Sequence, residues 1–456
     1  MGYTAPLSTA DRRMMTPAST DPINIGLVGL GTVGAGTVNV LRRNQVEISR
    51  RAGREIRIRS VAVRDLKVSR DCALDGLTLT SNPFEVTDDP DISLVVELVG
   101  GCDIAKEVVL RSLHQGKHVV TANKALIALH GNDIFRVAHE RGLMVAFEAA
   151  VAGGISIIKV IREGLSGNRI DRIIGIINGT CNYILTLMLE GHHSFESALQ
   201  EAQRQGFAEA DPSFDVDGID AGHKLTILAA IGFGIPLQFD RVHVEGISHV
   251  TLDDIRYAAE LGYRVKHLGI AQRTPAGAEL RTHACLTPVS ALLANVSGEM
   301  NAILIEGDAV GPTLHYGAGA GAEPTASSVV ADIVDVVRAL TTDPGNRVPH
   351  LAFQPKALTD LPVVPILEVA SANYLRLQVI DQPGVLADIT RILGDMQISI
   401  EAIVQKGASQ GGQAVPVIIT THRTLERQIV GASTRIEALD SVVAPITRIR
   451  IYPDGA

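Results

Sequence analysis

Residues Ile23–Val28 form a short apolar run that ends in Gly29-Leu30-Gly31-Thr32-Val33-Gly34, and Val33 to Arg43 then carries apolar residues at helical spacing. Strand, glycine turn and helix in that order constrain the fold more than any other stretch of the chain. Glycines let the main chain approach a pyrophosphate, and the helix N-terminus offers unpaired N–H groups and the positive end of its dipole. A glycine pattern alone is weak evidence, but its place between a buried strand and a helix makes it a dinucleotide-binding fingerprint. Gly29, Gly31, Thr32, Val33 and Gly34 are the expected cofactor contacts.

The rhythm continues. Ile56-Arg57-Ile58-Arg59 runs into Val61-Ala62-Val63, a second strand, and Ile92 to Val99 is a third, almost wholly apolar as buried parallel strands are. A helix from Ile104 to His114, a strand at His118-Val119-Val120, a helix after Lys124 and a strand at Leu143 to Phe147 complete the unit. Alternating strands and helices predict an α/β doubly wound parallel sheet of the Rossmann type. The second strand ends in Arg64-Asp65. Arg64 would meet a 2′-phosphate and select NADP, whereas Asp65 would hold a free ribose hydroxyl and select NAD, so the sequence leaves NADP or NAD open.

A chain of 456 residues is too long for one core. Residues 1–20 read as a loose tail and 21–147 as the nucleotide-binding domain. Residues 148–320 read as an α+β substrate-binding and dimerisation domain, and 321–345 as a helix, patterned from Thr325 to Leu340, that returns to the nucleotide-binding domain. Proline and turn residues make 346–368 a linker. Residues 369–456 follow the order βαββαβ, a ferredoxin-like unit: strand Tyr374 to Ile380, turn Asp381 to Gly384, helix Val385 to Met396, strands Ser399 to Val404 and Val415 to Thr421, helix Thr424 to Asp440, strand Ile446 to Tyr452.

Composition narrows the partners. With 46% hydrophobic and 20% charged residues the chain is globular, and a formal net charge of -9 argues against nucleic acid and anionic membranes. The longest apolar run, Leu225 to Leu237, is broken by Gly and Pro and is too short to cross a bilayer. Cys72, Cys102, Cys181 and Cys285 show neither CxxC nor Cys/His ligand spacing, so no disulfide framework or zinc site is expected and a cytoplasmic location fits. Small molecules are the expected partners.

Two segments carry candidate chemistry. Thr121-Ala122-Asn123-Lys124 follows a parallel strand on the sheet edge where ligands bind, which puts Lys124 within reach of a substrate. Gly206 to Lys224 holds five carboxylates, Glu209, Asp211, Asp215, Asp217 and Asp220, ahead of one lysine. Asp220 and Lys224 lie four apart on one helix face, a spacing that ordinarily means a surface ion pair. Beside so many acids, however, a lysine serves as a proton donor when a carbonyl receives hydride. Ala149 to Gly154 reads as a closely packed loop whose carbonyls, exposed beside Glu148, would suit a hard monovalent cation.

Taken together, Gly29 to Gly34, Thr121 to Lys124, Glu148 to Ile155, Asn178-Gly179-Thr180 and Gly206 to Lys224 resemble homoserine dehydrogenase in order and spacing over about 300 residues. The resemblance implies reversible NAD(P)-dependent interconversion of L-aspartate 4-semialdehyde and L-homoserine, a step towards threonine, methionine and isoleucine. It assigns the catalytic lysine to Lys224, the substrate-binding acids to Glu209 and Asp220, a further acid to Asp215 and a second active-site lysine to Lys124. It assigns a sodium site to Glu148 and the carbonyls of Val151, Gly153 and Ile155, and cofactor neighbours to Gly206 and Gly321. The C-terminal unit resembles an ACT domain, with Asp381, Gly384, Val385 and Leu386 at its turn; the implied effector is L-threonine, and dimerisation alone is the alternative role. The resemblance further implies a homodimer or homotetramer and a monofunctional chain, with no kinase segment ahead of the nucleotide-binding unit. Two rival expectations are another amino-acid-pathway dehydrogenase and a non-catalytic amino-acid sensor.

Overall fold

The computed structural model describes residues 21–405 and 414–452, so the expected tail at 1–20 lies outside the described residues. Strands β1 (Ile23–Val28), β2 (Ile56–Ala62), β3 (Thr78–Thr80), β4 (Leu94–Glu97), β5 (His118–Thr121) and β6 (Val145–Ala146) form one sheet in the order β3-β2-β1-β4-β5-β6. Every pairing is parallel. The order reverses between β1 and β4, the position where doubly wound sheets bind ligands beyond the strand ends. The short β3 was not foreseen, and the expected strand Leu143 to Phe147 contracts to two residues.

Helix Ala322–Ala339 begins where Gly321 adopts φ 121°, three residues before its expected start. Its Val329, Ile333 and Val336 share a core with β1 and helix Thr32–Arg43. A Cβ on Gly36 would sit 2.5 Å from the Ala322 carbonyl, so these two helices touch through that glycine.

Residues after Glu148 build a mixed sheet of long antiparallel strands, Ile170–Ile176, Tyr263–Thr274, Gly277–Pro288, Met300–Gly307 and Gly311–Ala318. The almost wholly buried helix Ile219–Phe233 packs against it. The C-terminal unit has the expected βαββαβ order. Its last strand, Thr447–Ile451, pairs in parallel with Gly277–Pro288 through Cys285 opposite Arg450 and Leu286 opposite Ile451, so one sheet runs through both units. The linker expected at 346–368 is docked along its length: Leu351, Leu358, Leu361 and Val363 pack on the central core, Thr359 N–H bonds the Gly234 carbonyl and Val363 bridges Ala278. Apolar residues at those positions bury more favourably against the sheet than in water.

Candidate active site

Helix Ile219–Phe233 starts at Gly218, whose φ of 84° favours glycine, and Asp220 in its first turn is 3% exposed. The Asp220 Oδ2 accepts from the Lys224 ammonium at 2.7 Å and from the Asn178 amide at 2.9 Å, while Oδ1 meets Lys124 Nζ at 2.9 Å. Lys224 donates a second bond to the Ile177 carbonyl at 2.8 Å. The surface-pair expectation for Asp220 and Lys224 therefore fails: both side chains are nearly enclosed, and a second lysine arrives from the other domain. Burial opposes ionisation of Asp220, but the two ammonium groups outweigh it and hold the carboxyl far below the usual range. The pair of cations is thus locked to an anion.

Asp215 joins through the Asn178 amide at 2.7 Å, and burial together with the Asp220 charge pushes its carboxyl up. Asn178 also caps helix Gly179–Glu190 by accepting from Cys181 N–H. It thereby fixes two acids to one helix start. In the sequence alone Asn178 has no separate role, although an Asn between an apolar strand and a helix is the signal for such a cap. Glu209 is exposed on the loop before these acids and acts electrostatically on Lys124. The Lys124 ammonium lies 5.5 Å above the Phe214 ring, and His223 is enclosed between Phe214 and Phe239, where burial lowers it to about 4 and keeps it neutral.

At the ends of β1, β2 and β4 a cleft of about 570 Å³ is lined by Gly29, Leu30, Gly31, Arg64, Asp65 and Leu98 to Gly100, among others. The main chain fills the space where side chains would stand: a Cβ on Gly29 would lie 2.6 Å from the Leu98 carbonyl, and one on Gly34 2.4 Å from the Gly29 carbonyl. Gly31 has open space instead. Thr32 and Val33 open the helix just behind it. These features suit a dinucleotide lying across the glycine loop. Asp65 turns its carboxylate onto the Lys67 N–H at 2.8 Å, while Arg64 stays exposed at the cleft. Gly206 closes helix Phe195–Arg204 and Gly321 opens Ala322–Ala339, and neither lines this cleft.

The remaining expected sites lie apart from the lysine cluster. In the loop from Glu148 to Ile155 every residue but the exposed Gly154 is buried, and the Glu148 carboxylate accepts the Ile158 and Lys159 N–H groups, both at 2.9 Å. The Gly153 carbonyl takes the Ser328 hydroxyl at 2.6 Å and the Ile155 carbonyl takes the Ile157 N–H at 2.7 Å. In the C-terminal unit Gly384 has φ 98°, Val385 and Leu386 pack into that unit's own core, and Asp381 accepts from Gln405.

Comparison with known proteins resolves the family. Family models described as homoserine dehydrogenase, NAD binding domain, as homoserine dehydrogenase and as ACT domain match residues 29–148, 157–334 and 373–440. The homoserine dehydrogenase of Pseudomonas aeruginosa is 58% identical over 430 residues, covering 94% of this chain and 99% of the relative. The chain belongs to the homoserine dehydrogenase family. The enzyme of Neisseria gonorrhoeae is 52% identical across 94% of this chain and 98% of its own. A crystal structure of a homoserine dehydrogenase from Thiobacillus denitrificans superimposes with a TM-score of 0.90 at 58% identity, over 95% of this chain and 99% of that one. Homoserine dehydrogenases are oxidoreductases acting on a CH–OH group, and this chain carries their NAD(P)-binding, catalytic and ACT domains. Among the described residues no helix is long and apolar enough to cross a membrane.

Proposed function

We propose that the chain interconverts L-aspartate 4-semialdehyde and L-homoserine, with Lys224 moving the proton at the substrate oxygen and NADP as the preferred cofactor. One observation carries this reading: two lysines from different domains converge on the two oxygens of the single buried carboxylate Asp220. The glycine loop Gly29 to Gly34 would hold a nicotinamide dinucleotide, which would supply the hydride chemistry at the substrate carbon. Lys224, oriented by Asp220 and the Ile177 carbonyl, gives its proton to the aldehyde oxygen in reduction and recovers one from the hydroxyl in oxidation. Lys124 adds positive charge beside the developing alkoxide. Glu209 and Asp220 hold the substrate ammonium group, and Asp215, tied to Asp220 through Asn178, completes the acidic wall.

The exposed guanidinium of Arg64 supports NADP, since Asp65 is engaged with its own backbone. A hard monovalent cation takes oxygen donors, and a carbonyl oxygen has two lone pairs. Val151, Gly153 and Ile155 therefore retain capacity for Na+ next to Glu148, whose carboxylate serves the neighbouring helix instead. The ACT turn at Asp381, Gly384, Val385 and Leu386 takes L-threonine as a feedback inhibitor of this biosynthetic step, in a homodimer or homotetramer. One assay tests these points: homoserine oxidation with NAD or NADP, in Na+ or choline buffer, with and without L-threonine. Absence of homoserine turnover with either cofactor ends the proposal, and turnover indifferent to threonine removes the regulatory part.

A further inference from the structure

Glu97 is fully buried at the C-terminal end of the central strand β4, and the proton transfer described above does not use it. Its Oε1 accepts the Val99 N–H at 2.7 Å, so the side chain folds back on the loop Leu98 to Gly100 that walls the nucleotide cleft. Its Oε2 accepts the Thr121 hydroxyl at 2.5 Å. That hydroxyl in turn accepts the Asn123 N–H at 3.0 Å, and the Asn123 amide donates to the carbonyls of Val99 at 3.1 Å and Gly101 at 2.6 Å. The Asn123 Oδ1 caps the helix whose first residue is Lys124.

We propose that Glu97 is a positioning residue which, through this one buried network, fixes both the wall of the nucleotide cleft and the turn that delivers Lys124. The proposal rests on the reading of Lys124 as an active-site group. Cofactor and lysine reach the substrate from the same domain, and a displacement near 1 Å in such groups costs roughly 10²-fold in rate. A network in which the Val99 and Asn123 N–H groups, the Thr121 hydroxyl and the Asn123 amide all find acceptors, and which the two share, is suited to hold their relative placement.

The network is also sensitive to protons. Burial raises the Glu97 carboxyl to about 7, against the opposing bonds from Thr121, Val99 and Asn123. Among the described residues no cation contributes to offset it. Strand β1 beside it carries no titratable side chain; from β5 it meets Thr121, from the following turn Asn123, and from the next helix the Cys102 thiol, with Asp103 and Lys106 facing that thiol. A hydroxyl has a single hydrogen, and Thr121 spends it on Glu97. Protonation of either Glu97 oxygen therefore sets a new O–H donor against the Thr121 hydroxyl or the Val99 N–H, weakens that bond and loosens one end of the network.

The test is semialdehyde reduction by the full chain, followed from about pH 6 to about pH 8, a range in which an ordinary lysine stays protonated and imposes no limb of its own. Wild-type kcat should fall about tenfold towards the acid end with an apparent pKa near 7. The Glu97→Gln variant should be flat at the low level, with a raised KM for the cofactor and an unchanged KM for the semialdehyde. Glu97→Asp should keep the limb. If Glu97→Gln does not fold, Thr121→Val should reproduce the flat profile and Thr121→Ser should restore the limb. A wild-type profile without that limb, or a limb that survives in Glu97→Gln or Thr121→Val, overturns the proposal. Lys124→Met separates the two readings: if it leaves kcat intact, the role of Lys124 falls, whereas if it lowers kcat while Glu97→Gln behaves as wild type, only the present inference falls.

Discussion

Lys124, the first residue of its helix in the nucleotide-binding domain, reaches Asp220 of helix Ile219–Phe233 at 2.9 Å. This contact ties the two halves of the site across the domain boundary, and the second oxygen of Asp220 is taken by Lys224. Removing the carboxylate leaves two ammonium groups facing each other in a poorly solvated place. Asp220→Asn should therefore cost roughly 3–5 kcal/mol of stability. Lys224→Ala should lower kcat by roughly 10²–10⁴ while cofactor affinity is nearly kept. Urea titration and steady-state kinetics read these separately, and near wild-type turnover in Lys224→Ala would remove that residue from the proton-transfer role.

The contributions of Glu97 and Glu148 to stability should fall as pH rises towards neutrality. Burial lifts both Glu97 and Glu148 from 4.5 to about 7. Their folded pKa values lie above the unfolded ones, so the native state binds more protons between those limits. The sign follows from linkage: each group favours folding most below about 4.5 and loses that contribution as pH rises to 7. Each shift corresponds to roughly 3 kcal/mol. Buried histidines such as His223, lowered to about 4, act in the opposite direction, so the check is the urea midpoint of wild type minus that of Glu148→Gln, which should decline across that window; a constant difference rejects the assignment.

The alternation of strands and helices from Ile23 onward was legible because parallel strands are buried on both faces and read as apolar runs. The acid-rich segment drew attention by composition alone, but its meaning depended on Lys124, about a hundred residues away in sequence. No local pattern encodes that meeting. Likewise, the spacing of Asp220 and Lys224 fits a surface pair equally well, since only the packing of Ile219–Phe233 against the sheet encloses them. The docking of the linker was hidden for a different reason. Its prolines and turn residues report the absence of regular structure, which says nothing of whether Leu351 and Val363 are buried. The pairing of Thr447–Ile451 with Gly277–Pro288 is a long-range parallel contact, and strand edges carry no partner address in their sequence.

Arg450 is 2% exposed and joins the ACT domain to the catalytic domain by ion pairs to Glu426 at 2.6 Å and to Glu245 at 2.9 Å. The backbone following Glu245 supports the start of helix Ile219–Phe233: Ile247 N–H bonds the Val216 carbonyl, and a Cβ on Gly246 would lie 1.9 Å from that oxygen. Arg450→Met should leave half-buried Glu245 without its guanidinium and buried Glu426 with Arg448 as its remaining cation, at a cost of roughly 1.5–3 kcal/mol. Amide exchange should quicken first in Thr447–Ile451, which is held by Arg450 opposite Cys285 and by the Tyr452 N–H on the Leu286 carbonyl. Uniform loss of protection throughout the chain would contradict a local joint.

Cofactor choice should reside in Arg64. It lines the cleft and forms no ion pair among the described residues, whereas Arg70 spends its guanidinium on the carbonyls of Asp65 and Val68. A charge-assisted bond to a 2′-phosphate is worth about 1.5–3 kcal/mol, so Arg64→Ala should raise the KM for NADP by roughly 10- to 150-fold and leave that for NAD within a factor of about two. Gly34→Ala should behave differently. Its new methyl would meet the Gly29 carbonyl at 2.4 Å and displace the loop beneath any pyrophosphate, so NADP and NAD should weaken together. Initial-rate measurements with both cofactors on both variants distinguish charge recognition from loop shape. Equal loss of NAD and NADP in Arg64→Ala would show that the guanidinium acts on the loop rather than on the phosphate.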